Sequence, residues 1–210
     1  MQYTWTSLAI SDAILAFSSF FGVFLMTQSY RLTSERMPVT GVIISFLLVG
    51  ISAILGTLHF GLSSAWAGPH NTMTTAAKTL APPLLALSMA EFCWKLGWSR
   101  PAWWRLLIGL MAGFELCRQS GYHEHFITTT ITISLIVTGA AAVTMLKRER
   151  FFGLFMIIAV AAYGLAALVI GTEGSLAGYL RLDLYRYLLA LGNLFAASGI
   201  FIMLKQVFKN

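Results

Sequence analysis

Seven runs of about 20 apolar residues, separated by short polar connectors, leave this chain few ways to fold. A helix rises 1.5 Å per residue, so ~20 residues cover the roughly 30 Å of hydrocarbon in a bilayer. The runs fall at about 7–28, 38–60, 74–95, 102–120, 124–146, 151–171 and 184–206. None shows the strict alternation of a barrel strand, and only helices or closed barrels satisfy their backbone in lipid. The expectation is therefore all-α: a polytopic seven-transmembrane-helix bundle that takes up residues 1–210 as one domain. Composition agrees. With 58% hydrophobic residues, 10% charged and a mean hydropathy of +0.77, an ordinary soluble domain is excluded.

The first run is read as a retained helix, since no basic segment precedes it and it outlasts the apolar part of a signal peptide. Basic residues then set the expected orientation. Arg31, Arg36, Lys95, Arg100, Arg105, Lys147, Arg148, Arg150, Lys205 and Lys209 fall on one side; Lys78, Arg118, Arg181 and Arg186 fall on the other. The N-terminus is expected outside and the C-terminus in the cytoplasm, in the inner membrane of a bacterial cell. Trp98, Trp103 and Trp104 suit an inner interfacial belt, and Trp5 and Trp66 an outer one. The net charge of +6 reads as this topological signal and as attraction to anionic lipid. Scattered through loops, it forms no extended basic surface for nucleic acid. Cys93 and Cys117 fall at opposite depths, too far apart for a disulfide.

Chemistry gathers on the expected outer side. All four histidines, His59, His70, His123 and His125, lie there, as do Asp12, Glu115, Asp183 and Arg186. An ionisable group at the bilayer centre costs about 2.5–3.5 kcal/mol on insertion scales, so such residues face a partner, the bundle interior or water. Glu115 with Arg118 and Asp183 with Arg186 are each three apart, on one helical face, and are expected to pair. Asp12 has no neighbour in sequence and looks across the bundle to Lys78, Arg118 or Arg186. Pro82–Pro83 should kink or open the third helix. With Gly50, Gly56 and Gly61 on the second helix, this implies a cavity among helices 2, 3, 4, 5 and 7 that opens outward.

His59, His123 and His125 are the candidate metal ligands, with zinc as a possible ion, since neutral imidazole is the commonest metal ligand. The H-x-H spacing places both rings on one side only in extended backbone, and it is not a zinc motif of the H-E-x-x-H kind. Interfacial histidines bonded to water and helix ends are the plainer reading. A b-haem on His59 and the H-x-H pair is less favoured, because the pair opens a helix and does not lie in its body. Tyr163 and Asn193 are expected to bridge the last two helices or line a cavity.

Seven helices suggest two families. The rhodopsins require a Schiff-base lysine in the last helix, and 184–204 has none. The second run, "ILGTLHFG" with His59, is similar to that of the membrane hydrolases of the ceramidase and progestin-receptor type. The aspartate of their third helix and the H-x-x-x-H of their seventh are missing, so their metal triad does not carry over. "SDAILA" in the first run with "LGTLHFG" in the second resembles an uncharacterised family of small seven-helix bacterial membrane proteins. That resemblance covers about the first 65 residues, marks Asp12 and His59, and implies no activity. Glycine spacings in helices 2 and 6 do not match well enough to argue an internal repeat.

The expected function is an outward-facing His/acid/Arg pocket that binds a small polar or lipid-headgroup ligand, or a metal-dependent hydrolase built on that pocket. Asp12, Glu115 and His59 would be its catalytic groups, and Arg118, Arg186, Asp183 and Lys78 would hold the ligand. The alternative is a non-enzymatic transport or assembly subunit among other membrane subunits. An enzyme should set an acid within hydrogen-bond reach of a histidine; a transporter should extend the cavity down to Tyr163 and Asn193.

Overall fold

A computed structural model describes residues 2–31, 33, 36–176 and 178–207, with the side chains of 2–4, 206 and 207 left aside. Lys209, one of the orientation residues, lies outside them. The chain is 88% helical. Its helices are α1 (Gln2–Tyr30), α2 (Arg36–Gly61), α3 (Ala67–Trp94), α4 (Arg100–Gln119), α5 (His123–Leu146), α6 (Arg150–Gly164) and α7 (Arg181–Val207). A 3-10 turn, Ser64–Trp66, leads into α3, and α6 runs on into a π-helical turn, Leu165–Ile170. A two-residue hairpin, β1 (Ser175–Leu176) against β2 (Tyr179–Leu180), precedes α7. The apolar runs did not foresee it. Glycines at positive φ, Gly174 and Gly178, make its turns.

Among the described residues five helices are long and apolar enough to cross a membrane: α1, α2, α5, α6 with its π turn, and α7. The other two runs fall short of that. α3 starts seven residues before the expected 74 and takes in the polar stretch "AGPHNTM", while α4 carries Arg100, Arg105, Glu115 and Arg118. Pro69 is no obstacle in the first turn of α3, where its missing N–H would have had no partner. Pro82 and Pro83 sit inside α3 without ending it. The Ala81 carbonyl beside them accepts the Ser45 hydroxyl of α2 at 2.8 Å.

The packing order is a ring. α1 lies on α2, α2 on α3, α3 on α5, α5 on α6, α6 on α7, and α7 returns to α1, while α4 leans on α3 and α5 from outside. One end of the ring is packed solid. Met26, Phe46, Met89, Phe152, Met156 and Ile200 meet there with almost no exposed surface. Toward the other end small residues, Ala16, Ala53 and Ala190, face inward beside polar groups and larger apolar ones, and the ring is hollow. Outward-facing side chains such as Phe17, Ile108, Ile136 and Leu168 are more than 60% exposed, an apolar exterior suited to lipid.

Candidate functional site

The hollow end holds a cavity of about 400 Å³, lined by α1, α2, α3, α5, α6 and α7. α4 does not contribute, which corrects the expected set of walls and follows from its place outside the ring. His70, Thr74, Lys78, Ala81 and Leu85 supply the α3 wall. They recur at three or four residues and so share one face of the helix.

The upper part of the cavity is built on one ion pair. Arg186 Nε lies 2.8 Å from Asp12 Oδ1, with both side chains almost wholly buried. The guanidinium also donates to the Leu8 carbonyl at 3.1 Å and sits 5.0 Å above the Phe60 ring. Arg186 was the third of three cross-bundle candidates for Asp12. The expected Asp183–Arg186 pairing is replaced: Asp183 accepts the hydroxyls of Ser7 and Ser11, the latter at 2.6 Å, and Ser11 touches Arg186 at 3.4 Å. The reason is the neighbour. With α1 alongside, two hydroxyls and a carboxylate offer α7 better geometry than its own i, i+3 partner.

Gly56 makes the close approach. A Cβ at that position would overlap Asp12 Oδ2 and come within 2.9 Å of His70 Cε1. Asp12 Oδ2 is buried without a hydrogen-bond partner, and so is Nδ1 of His59. The two histidine rings stack 5.8 Å apart. His70 Nδ1 lies 3.2 Å from the Ser52 carbonyl and 3.4 Å from the Thr74 hydroxyl; a carbonyl only accepts, so Nδ1 donates to it. Ser52 and Thr74 share a hydroxyl hydrogen bond of 2.8 Å beside it.

Deeper, the walls are mostly apolar: Leu15, Phe46, Val49, Leu85, Leu135 and Leu189. Polar groups break them, Ser45, Ser134 and Thr138 among them, and two places stand out. Tyr163 donates to Asn193 Oδ1 at 2.8 Å, and Asn193 donates to Ser19 at 2.9 Å, tying α6, α7 and α1 together. Both expected roles of that pair hold, since the two residues also line the cavity. Lys78 is the second place. It lies eleven residues into α3, ~16 Å along the helix, with no carboxylate within salt-bridge distance among the described residues.

Of the expected site residues, Asp12, His59, Lys78 and Arg186 meet at the cavity, with Asp183 just behind them. Glu115, Arg118, His123 and His125 are not brought there. Glu115 and Arg118 form the expected pair, a two-pronged contact of 2.7 Å per arm, but on the exposed flank of α4. His123 and His125 are exposed at the start of α5, where His123 lies 3.3 Å from Glu124 and His125 faces Tyr122. His59 is thus separated from the other two, and among the described residues no three of His, Cys, Asp and Glu converge as metal ligands. His70, Ser52, Thr74 and Tyr185 are cavity residues that sequence reasoning did not select.

No family model, curated protein or solved structure matches the chain. The site must be read from its own chemistry. It offers a buried ion pair, two imidazoles, hydroxyls, an apolar barrel and the Lys78 ammonium, which has no carboxylate within salt-bridge distance among the described residues. Among the described residues no acid on the cavity wall hydrogen-bonds to a histidine, so the acid–base pair expected of a hydrolase is not assembled.

Proposed function

We propose that this is a multi-pass inner-membrane protein whose cavity opens outward and binds a small ligand with an anionic polar group, a lipid headgroup or a lipid-like acid. All seven helices would cross the membrane, α3 and α4 included, their charges turned inward or held at the interfaces. Lys78 carries this reading. A cation at that depth costs about 2.5–3.5 kcal/mol without a counter-charge, and among the described residues no carboxylate lies within salt-bridge distance of it. An anion seated against it would offset that cost while its apolar part fills the space between Leu15, Phe46, Leu135 and Leu189. Arg186 is already committed to Asp12 and serves the wall more than the ligand.

Transport is the second reading, favoured by the reach of the cavity down to Tyr163 and Asn193. The solid packing below Phe46 and Leu85 would have to open for passage. An assembly subunit with all its charges paired off is less well supported, because Lys78 is not paired.

The test is thermal unfolding of the detergent-purified protein titrated with decanoate and with decanol. Decanoate should raise Tm and decanol should not, since a ligand at about a hundred times its Kd adds ~2.7 kcal/mol. Lys78→Met should abolish the response. An equal rise with decanol, or an unchanged response in Lys78→Met, would overturn the reading.

A further inference from the structure

At the solid end of the bundle a second hollow of about 300 Å³ lies between α2, α3 and α4 and the end of α1. It has no part in the cavity described above. Arg36 and Arg100 flank it, and Trp103, Trp104 and Tyr30 form its aromatic rim. We propose that this groove is a specific site for an anionic phospholipid, with its phosphodiester between the two guanidinium groups and its acyl chains along the outer face of α4.

Charge is the first argument. Arg36 and Arg100 open α2 and α4, so the partial positive charge of two helix N-termini adds to theirs. Among the described residues no acidic side chain lines the groove, and neither arginine has a carboxylate within salt-bridge distance. Arg36 is held instead over the Tyr30 ring at 5.4 Å, which fixes its direction while leaving its fork of donors open. The second argument is an unmet donor. Trp103 is 3% exposed, and its indole N–H has no acceptor among the described residues. A buried donor left unpaired is unfavourable, and a phosphate or ester oxygen entering beside it would supply the acceptor.

Shape gives the third argument and selects lipid over a soluble phosphate. The floor of the groove is Ile44, Leu84 and Leu107. Beyond it Trp104, Ile108 and Met111 are each more than half exposed along α4. A free phosphate would leave that apolar track bare, whereas a diacyl lipid covers it. Basic pockets between helices with tryptophans at the headgroup level are the arrangement that retains anionic lipid. The inference shares with the proposed function only that the helices sit in a membrane; it does not use the Lys78 cavity.

The experiment is native mass spectrometry of the protein released from nanodiscs of mixed phosphatidylcholine and phosphatidylglycerol. Each arginine near the headgroup level should favour the anionic lipid about five-fold, so the wild type should retain phosphatidylglycerol about thirty-fold over its bulk ratio. Arg36→Gln/Arg100→Gln should bring retention near parity, while Lys147→Gln/Arg150→Gln, at the same end but off the groove, and Lys78→Met should keep it. Preference unchanged in the groove variant, or lost equally in the Lys147/Arg150 variant, would overturn the site. Displacement of the lipid by equimolar inorganic phosphate would overturn the lipid assignment. Tryptophan quenching by lipids brominated in the acyl chain needs no variant: brominated phosphatidylglycerol should quench the wild type more than brominated phosphatidylcholine, and equal quenching counts against the proposal.

Discussion

Arg186→Met is the sharpest perturbation of this bundle. It removes the 2.8 Å contact to Asp12, the bond to the Leu8 carbonyl and the stacking on Phe60 in one step. What remains is the Asp12 carboxylate, 3% exposed, with no other partner. Breaking a buried ion pair from one side costs about 3–5 kcal/mol. Asp12→Asn strands Arg186 in the same way but loses less, because Asp183 stays nearby through Ser11. Replacing both partners removes both stranded charges, and a buried pair exchanged for neutral residues is often close to neutral in stability. The double variant should therefore lie within about 2 kcal/mol of the wild type. The coupling should then exceed about 2 kcal/mol, well above the ~0.5 kcal/mol of additivity error. Equilibrium unfolding in dodecyl maltoside titrated with dodecyl sulfate measures all four proteins. Coupling below about 0.5 kcal/mol would mean that the two groups do not rely on each other, and the account of the upper cavity would fall.

Gly56→Ala should cost about 1–3 kcal/mol in the same assay, since the new methyl overlaps Asp12 and presses on His70; Gly109→Ala, on open helix surface, should instead gain up to about 1 kcal/mol. Tyr163→Phe leaves the buried Asn193 amide oxygen without its donor and should cost about 1–3 kcal/mol, whereas a loss below that range would mean that water takes over the bond.

The helices were legible because a run of apolar residues near bilayer length has few other uses. α2, α4 and α5 begin and end within two residues of expectation. α3 did not, because "AGPHNT" looks like a connector: glycine and proline punctuate loops more often than they open helices. Proline in a first turn was the available signal, and His70, Thr74 and Lys78 at spacings of four were its continuation. Missing the early start of α3 meant missing His70 as a cavity wall. The opposite error arose at Glu115, Arg118, His123 and His125, whose closeness in sequence suggested a shared site. Sequence distance orders residues along a chain, whereas a cavity is walled by whichever helices adjoin, and α4 packs outside the ring. Asp12 illustrates the same point favourably. With no local partner it had to find one elsewhere, and the three basic residues named for it included the right one.

The polar bridges between α1 and α7 also say something about time. Ser7 and Ser11 to Asp183, Arg186 to Leu8, and Asn193 to Ser19 join residues 172 to 178 positions apart. At synthesis rates of about 5–20 residues per second, α1 is complete roughly 8–30 s before any of these partners exists. Throughout that interval Asp12 lacks the arginine that it meets in the finished bundle. Assembly of this ring is thus tied to its last helix, and a nascent chain halted before α7 should be a substrate for whatever holds or destroys unfinished membrane proteins.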